Sequence, residues 1–237
     1  FAFDRAKRAI DRADVVLLLV DATEPLSQVD EQLAMLVQKT YKPVVIVVNK
    51  WDLVQGRTND KGKRITPADY EEYLRKELKG LTFAPISLVS ADKGTNVRPT
   101  IKLAFTVLEQ SKMRVGTGKL NRLVQGILET TNPPSKLGTR AKTLYVAQVA
   151  EHPPTIVMVV NRPELFTPNY QRFLLNRFRE ELPYGEVPIR LLVRGRKPAK
   201  DGGIDVAEEP LSETEAKEVE REAVKAAVDV EGLGDDA

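Results

Sequence analysis

Five consecutive β-branched residues, Val44-Val45-Ile46-Val47-Val48, constrain this chain more than any other stretch. A strand with no polar position has both faces buried, the pattern of an inner strand in a parallel sheet covered by helices. The polar cluster Asn49-Lys50-Trp51-Asp52 follows at once, at the carboxyl edge where open α/β sheets bind ligands. Asn-Lys-x-Asp has a specific chemical use at that edge. A fixed Asp52 carboxylate can accept from the N1–H and N2–H₂ donors of guanine. Adenine offers no such donor pair and would leave the carboxylate unpaired, at a cost of roughly 1–3 kcal/mol. Asn49 can meet the acceptor edge of the base or tie neighbouring loops together. The Lys50 stem can lie along base and ribose with its charge in water. Taken alone, the four residues fit an ordinary strand end with polar turn residues equally well.

The flanking sequence supplies the context. Apolar runs at 15–20, 44–48 and 83–89 read as buried strands, and helical spacing recurs at 3–12, 26–39, 66–79 and 96–111. Thr66-Pro67 marks a helix start, with Asp69 three residues on in a capping arrangement. In the helix over 96–111, Val97, Ile101, Ala104, Phe105 and Leu108 form the expected inward face. Strands alternating with helices of this length define βαβ units and a parallel α/β sheet. Residues 49–63 read as a polar loop.

After Gly118 the pattern changes. Residues 120–129 are helical, 142–150 and 155–160 read as neighbouring strands, 169–182 as a helix and 187–193 as a last strand. This is an α-β-β-α-β module with one sheet, an α+β fold. It is basic: residues 117–200 hold 14 Lys and Arg against 6 Asp and Glu, whereas residues 201–237 hold 3 against 13. A basic module followed by an acidic tail points to partner binding. Domain boundaries are expected at 1–116, 117–197 and 198–237. The last segment reads as mostly disordered, with a marginal acidic helix begun by the capping box Ser212 to Glu215.

Composition excludes several classes. There is no cysteine, which removes disulfides and cysteine-ligated zinc, and the single histidine, His152, argues against a histidine-rich metal site or a Ser-His-Asp triad. The longest apolar runs are too short to span a bilayer. The chain opens at Phe1 inside a helical pattern and reads as a piece of a longer one.

A second motif, Ser90-Ala91, stands at the end of the strand that follows the Asn-Lys-x-Asp strand. There the Ala91 N–H can face the guanine O6 acceptor, and Ser90 can hold the Asp52 carboxylate in place. Together, Asn49, Lys50, Asp52, Ser90 and Ala91 form the candidate guanine site. With these residues in view, the chain resembles the second GTPase domain and carboxyl-terminal KH-like domain of the Der (EngA) ribosome-assembly GTPases. The likeness is carried by Ile10-Asp11-Arg12-Ala13-Asp14 leading into the first strand and Asp21-Ala22, by the two guanine motifs, and by Asn132-Pro133-Pro134. It continues in Pro153-Pro154-Thr155, Val159-Val160-Asn161, Tyr170-Gln171-Arg172-Phe173-Leu174 and Val187-Pro188-Ile189-Arg190-Leu191. It covers about residues 3–197.

The resemblance implies a P-loop GTPase-type sheet domain followed by a KH-like domain. It also implies GTP or GDP as ligand, Mg²⁺ in the intact protein with ligands outside this chain, and a bacterial, cytoplasmic factor acting on ribosomal RNA of the large subunit. Neither DNA nor a membrane is an expected partner. The departures are equally specific. No Gly-x-x-x-x-Gly-Lys-[Ser/Thr] is present, and the stretch from Gly56 to Arg64 has the wrong glycine spacing and follows the wrong strand. No catalytic residue is therefore assigned, and the chain by itself is expected not to hydrolyse GTP. Asp92 stands where many related GTPases carry an apolar stem over the base. No Gly-x-x-Gly clamp for single-stranded RNA occurs between residues 117 and 200. Arg162, Arg172, Arg177, Arg179, Arg190, Arg194 and Arg196 either contact RNA phosphates or form a solvated face. The alternative to a Der-like GTPase is a non-enzymatic ribosome- or rRNA-binding module that keeps a degenerate GTPase half as scaffold.

Overall fold

A computed structural model of the chain describes residues 2–58, 62, 64–135, 138–196 and 213–232. It divides into two compact units, Phe1–Ser111 with Glu186–Pro188, and Lys112–Gly185 with Ile189–Ala237.

The first unit is a three-stranded parallel sheet in the order β1-β2-β3, with β1 at Val16–Asp21, β2 at Val44–Asn49 and β3 at Ile86–Leu88. Parallel pairing requires crossovers, and helices supply them. α2 (Gln28–Lys39) links β1 to β2, and α4 (Pro67–Glu77) lies between β2 and β3. α1 (Ala2–Arg12) precedes the sheet, the one-turn α3 (Trp51–Val54) follows β2, and α5 (Val97–Lys112) follows β3. The caps of the crossover helices are local. Thr66 accepts from the Asp69 N–H while the Asp69 carboxylate accepts from the Thr66 N–H, and Ser27 and Asp30 repeat the arrangement on α2. The second capping box carries the same sequence signature, yet the helical pattern alone places that start at Leu26.

All five apolar residues of β2 are buried, as a central strand requires. β1 is not buried on both faces as its sequence suggests. Leu18 and Val20 are buried, whereas Leu17 and Leu19 are 41% and 58% exposed. The reason is the strand order: among the described residues β1 is an edge, and only its Val16-Leu18-Val20 side joins the core with Val37, Ile46, Trp51 and Leu74. α5 is also turned away from the expected face. Ile101 and Phe105 are exposed, and Thr100, Val107 and Ser111 are buried. Small hydroxyl residues can face inward because their hydroxyls find partners. Thr100 Oγ1 lies 2.7 Å from both Ser87 Oγ and the Asn96 carbonyl, and Ser111 donates to the Leu108 carbonyl. Residues 51–54, read from sequence as loop, form α3.

The second unit is the expected α-β-β-α-β module: α6 (Thr117–Thr130), β4 (Thr143–Ala150), β5 (Thr155–Val160), α7 (Pro168–Glu181) and β6 (Arg190–Gly195). β4 and β5 pair antiparallel, β5 and β6 parallel, in the order β4-β5-β6. Leu120, Val124, Ile127, Val146, Ile156, Met158, Leu174 and Phe178 are buried in it. Side-chain amides fix its strand ends. Asn132 accepts from the Ala141 N–H and donates to the Leu128 and Ala141 carbonyls, and Asn161 accepts from the Lys142 N–H. Gln148, also buried, accepts from the Val115 N–H (2.8 Å) and the Tyr184 hydroxyl (2.6 Å), and donates to the Met113 carbonyl (2.9 Å).

The acidic tail holds a helix where the Ser212–Glu215 capping box places one. A 20-residue helix, α8 (Glu213–Gly232), packs on β4 and β5, with Ala223 fully buried against Ala147, Val149 and Val157. The rest of the expected disordered tail, at 198–212 and 233–237, lies outside the described residues.

Candidate functional site

The carboxyl ends of β1, β2 and β3 meet at one edge of the first sheet, and the candidate guanine residues are gathered there. In register, Asp21 at the end of β1 sits beside Asn49 at the end of β2. The Asn49 carbonyl accepts from the Ala22 N–H at 2.9 Å, and its side-chain Oδ1 accepts from the Ala91 N–H at 3.0 Å. Of the two roles open to Asn49 from sequence, tying loops together is the one its contacts display. The Ala91 N–H, expected to face the base, is spent on Asn49 here.

Lys50 adopts the left-handed region, φ 60° and ψ 28°. That conformation turns the chain abruptly out of β2, so that Trp51 is driven into the core while Asp52 stays at the rim. Trp51 donates its N–H to the Val89 carbonyl at 3.0 Å and meets Tyr70 edge-on, with ring centroids 5.5 Å apart. A buried aromatic of this size is a strong anchor, and it fixes the backbone position of Asp52 beside it.

The loop at 90–95 is closed on itself by two backbone hydrogen bonds, Ser90 N–H to the Thr95 carbonyl (3.1 Å) and Thr95 N–H to the Ser90 carbonyl (2.9 Å). Gly94 at φ 69° makes so tight a turn possible. Ser90 is buried and accepts from the Lys93 N–H at 3.4 Å, with its hydroxyl beside the Asp52 carboxylate.

Two ion pairs frame the site. Lys93 Nζ lies 2.9 Å from Asp52 Oδ2, and Lys50 Nζ lies 2.5 Å from Asp21 Oδ2. The Lys93 ammonium, then the Ser90 hydroxyl, hold the Asp52 carboxyl below the usual carboxylate range. Asp21 is lowered to about 2, first by Lys50 and then by the Thr23 hydroxyl and N–H. Asp21 closes the strand end as a structural cap for Thr23 (2.6 and 2.9 Å), and it also positions Lys50. Lys93 was not singled out at all, and only the closure of the 90–95 loop brings it to Asp52.

Chemically, this corner offers one partly exposed carboxylate whose only charged partner, among the described residues, is an exposed lysine. The N1–H and N2–H₂ donors of a guanine can take the place of Lys93 on Asp52. Among the described residues no group of three or more His, Cys, Asp or Glu side chains is arranged to hold a metal ion. The stretch from Gly56 to Arg64 folds back on itself through the Thr58–Arg64 bridge; residues 59–61 and 63 lie outside the described residues.

The seven candidate RNA-contacting arginines are distributed. Arg172, Arg177 and Arg179 lie on α7, where Arg177 pairs with Glu180 and Glu181 and burial lowers the Arg179 guanidinium below its usual value. Arg162 is exposed, 3.7 Å from Glu164. Arg190 and Arg194 share one side of β6, with Arg196 just beyond its end.

Comparison with known proteins agrees with this geometry. The family model for the Elongation factor Tu GTP binding domain matches residues 3–132, more than half of the chain. The first unit is therefore a GTP-binding domain of the translation-factor type. A second model, the KH-domain-like carboxyl-terminal domain of EngA bacterial GTPase enzymes, matches residues 114–194. Among curated relatives, GTPase Der of Rhodopirellula baltica is 39% identical over 192 residues, covering 81% of this chain and 41% of the relative. GTPase Der of Desulforudis audaxviator is 35% identical over 193 residues (81% and 43%), and that of Heliobacterium modesticaldum 38% over 197 (83% and 43%). The chain belongs to the Der (EngA) family of GTPases. It spans about two fifths of the length of the curated relatives it matches. No helix among the described residues is long and apolar enough to cross a membrane.

Proposed function

We propose that this chain selects guanine nucleotides and docks on ribosomal RNA, as part of a GTP-dependent factor for large-subunit assembly in the bacterial cytoplasm. The observation that carries the first half is the convergence of Asn49, Asp52, Ser90 and Ala91 at one sheet edge, with Asp52 held ionised by Ser90 and Lys93. Phosphoryl transfer relies on a phosphate loop and Mg²⁺, and residues 1–237 contain no such loop. On this reading the chain chooses the base and does not itself cleave GTP. The basic second unit, through Arg162, Arg172, Arg177, Arg179, Arg190, Arg194 and Arg196, supports the RNA half, since phosphate contacts give affinity without sequence readout.

The test is competition for a fluorescent guanosine diphosphate. Unlabelled GDP displaces it and ADP does not. In Asp52→Asn, the acceptor becomes a donor, so GDP is weakened by roughly 5- to 100-fold and xanthosine diphosphate gains. Equal displacement by ADP and GDP would overturn the guanine reading, and GTP turnover abolished by Asp52→Asn would overturn the claim that the chain does not cleave. RNA binding is expected to weaken steeply with salt; a salt-independent interaction would remove the phosphate-contact reading.

A further inference from the structure

The outer side of the second sheet is built unlike a surface meant for water. Pairing places Tyr145, Val159 and Arg194 in one row across the three strands, and Ala147, Val157 and Leu192 in the next. On the edge strand β6 the same side reads Arg190, Leu192, Arg194, by the two-residue period of a strand. The side is thus a small apolar field containing one aromatic ring, bordered by arginines.

α8 lies on that field. Between residues 213 and 232 it carries seven Asp and Glu against three Lys and Arg. Its carboxylates are placed on the polar features of the face: the Tyr145 hydroxyl donates to Glu220, and Arg194 Nη1 lies 3.9 Å from Glu222 Oε2. Among the side chains described up to Val224, its apolar grip is slight. Ala216 and Ala223 are buried, and Val219 is partly so. Two alanines and a valine remove little apolar area from water compared with leucine or phenylalanine. Beside the contact lies an open pocket of about 350 Å³ lined by Arg114, Gln148, Val149, Lys217, Glu220 and Arg221. Residues 197–212 separate β6 from α8.

We propose that α8 is a displaceable acidic cover over a single-stranded RNA-binding face formed by the outer side of β4, β5 and β6. Glu220 and Glu222 stand where phosphate oxygens would stand. Release of α8 frees Arg194 for the RNA backbone, with Arg190 on the same side of β6, and uncovers Tyr145 as a stacking platform for a base, a combination that binds single strands with little sequence preference. The inference rests on the RNA reading of the second unit and adds to it a face and an internal competitor. Charge complementarity favours RNA over a protein partner: an acidic cover over an arginine-bordered face imitates a polyanion.

The test uses the full chain and a fluorescently labelled oligouridylate of about 15 nucleotides, a length suited to single-strand sites. Ala223→Asp places a carboxylate in the fully buried contact and detaches α8, which hydrogen exchange along α8 and β4 reports. Glu220→Gln with Glu222→Gln keeps the helix and removes the competing charges. Both variants are expected to bind the oligomer about tenfold or more tighter than the parent chain at low salt, with a steeper salt dependence. Adding Arg190→Ala and Arg194→Ala to Ala223→Asp is expected to abolish the gain. Detachment without a gain in RNA affinity, or a gain that survives loss of both arginines, overturns the proposal while leaving RNA binding through α7 standing. Self-association of the Ala223→Asp chain without RNA binding assigns the face to protein contact and also overturns it. Absence of RNA binding in the parent and every variant overturns both this inference and the RNA reading beneath it. If Ala223→Asp unfolds the unit, the paired glutamine variant decides alone, and unchanged affinity there overturns the proposal.

Discussion

The side-chain oxygen of Asn49 accepts the backbone N–H of Ala91 at 3.0 Å, joining two loops that are 42 residues apart in sequence. Because the Asn49 carbonyl also accepts from Ala22, one residue holds the ends of all three parallel strands. Asn49→Ala leaves the Ala91 N–H without its acceptor, and the loss is expected to be about 1 kcal/mol. Hydrogen exchange at Ala91 should quicken while that of Ile46 and Val48 in β2 stays slow. An unchanged Ala91 amide would show that this bond does not hold the loop.

Lys93 competes for the same carboxylate that guanine would use. Lys93→Ala is expected to tighten guanine nucleotide binding several-fold and to let the Asp52 carboxyl rise toward its ordinary value, since Lys93 is the first cause of its depression. A carboxyl-resolved NMR titration together with nucleotide affinity reads both. Weaker binding in Lys93→Ala would instead make Lys93 part of the nucleotide contact.

Lys50 couples strain to charge. Its left-handed backbone costs a residue with a Cβ about 1 kcal/mol that glycine does not incur. Lys50→Gly and Lys50→Ala lose the Asp21 pair equally, so Lys50→Gly should be the more stable of the two by about 1 kcal/mol in urea unfolding. Equal stabilities would mean the backbone relaxes once the pair is gone.

Acid should act on this corner first. The Asp21 carboxyl is held at about 2 in the folded chain against 3.8 ordinarily. A depressed carboxyl contributes stability that is fully present above its unfolded value and lost as pH falls through its folded value. The contribution of Asp21 therefore disappears between about pH 4 and pH 2, and Asp52 acts in the same direction. Thermal unfolding across that range is expected to be flatter in Asp21→Asn than in the parent chain. Parallel curves would contradict the pairing with Lys50.

Gln148 is the buried polar hub of the second unit. Gln148→Leu leaves the Val115 N–H and the Tyr184 hydroxyl without an acceptor, at an expected cost of about 2–4 kcal/mol in urea unfolding followed by circular dichroism. A loss under 1 kcal/mol would indicate that water enters to replace the amide.

How far the sequence could be read depended on range. The capping of α4 by Thr66 and Asp69 spans four residues and was legible, as was the burial of β2 from its own five apolar residues. The exposure of Leu17 and Leu19 was not, because it follows from β1 being an edge, and strand order is set by long-range pairing. Ile101 and Phe105 misled because apolar periodicity locates a face without saying what covers it, and α5 buries satisfied hydroxyls instead. At the site, Asn49, Asp52 and Ser90 were recognisable by type and spacing. The Lys93–Asp52 pair and the seat of Ala223 on β4 and β5 join residues far apart in the chain, and no local pattern announces either. The charge reversal past residue 200 was the one signal that the tail had something basic to meet.

The chain has a single tryptophan, and it is Trp51, lodged between Lys50 and Asp52 with its ring against Tyr70. Its emission therefore originates inside the motif that would choose the base. Entry of a ligand, departure of Lys93 or loosening of the 90–95 loop would each alter the indole's surroundings. The molecule thus carries its own optical reporter for this corner, readable without any attached dye.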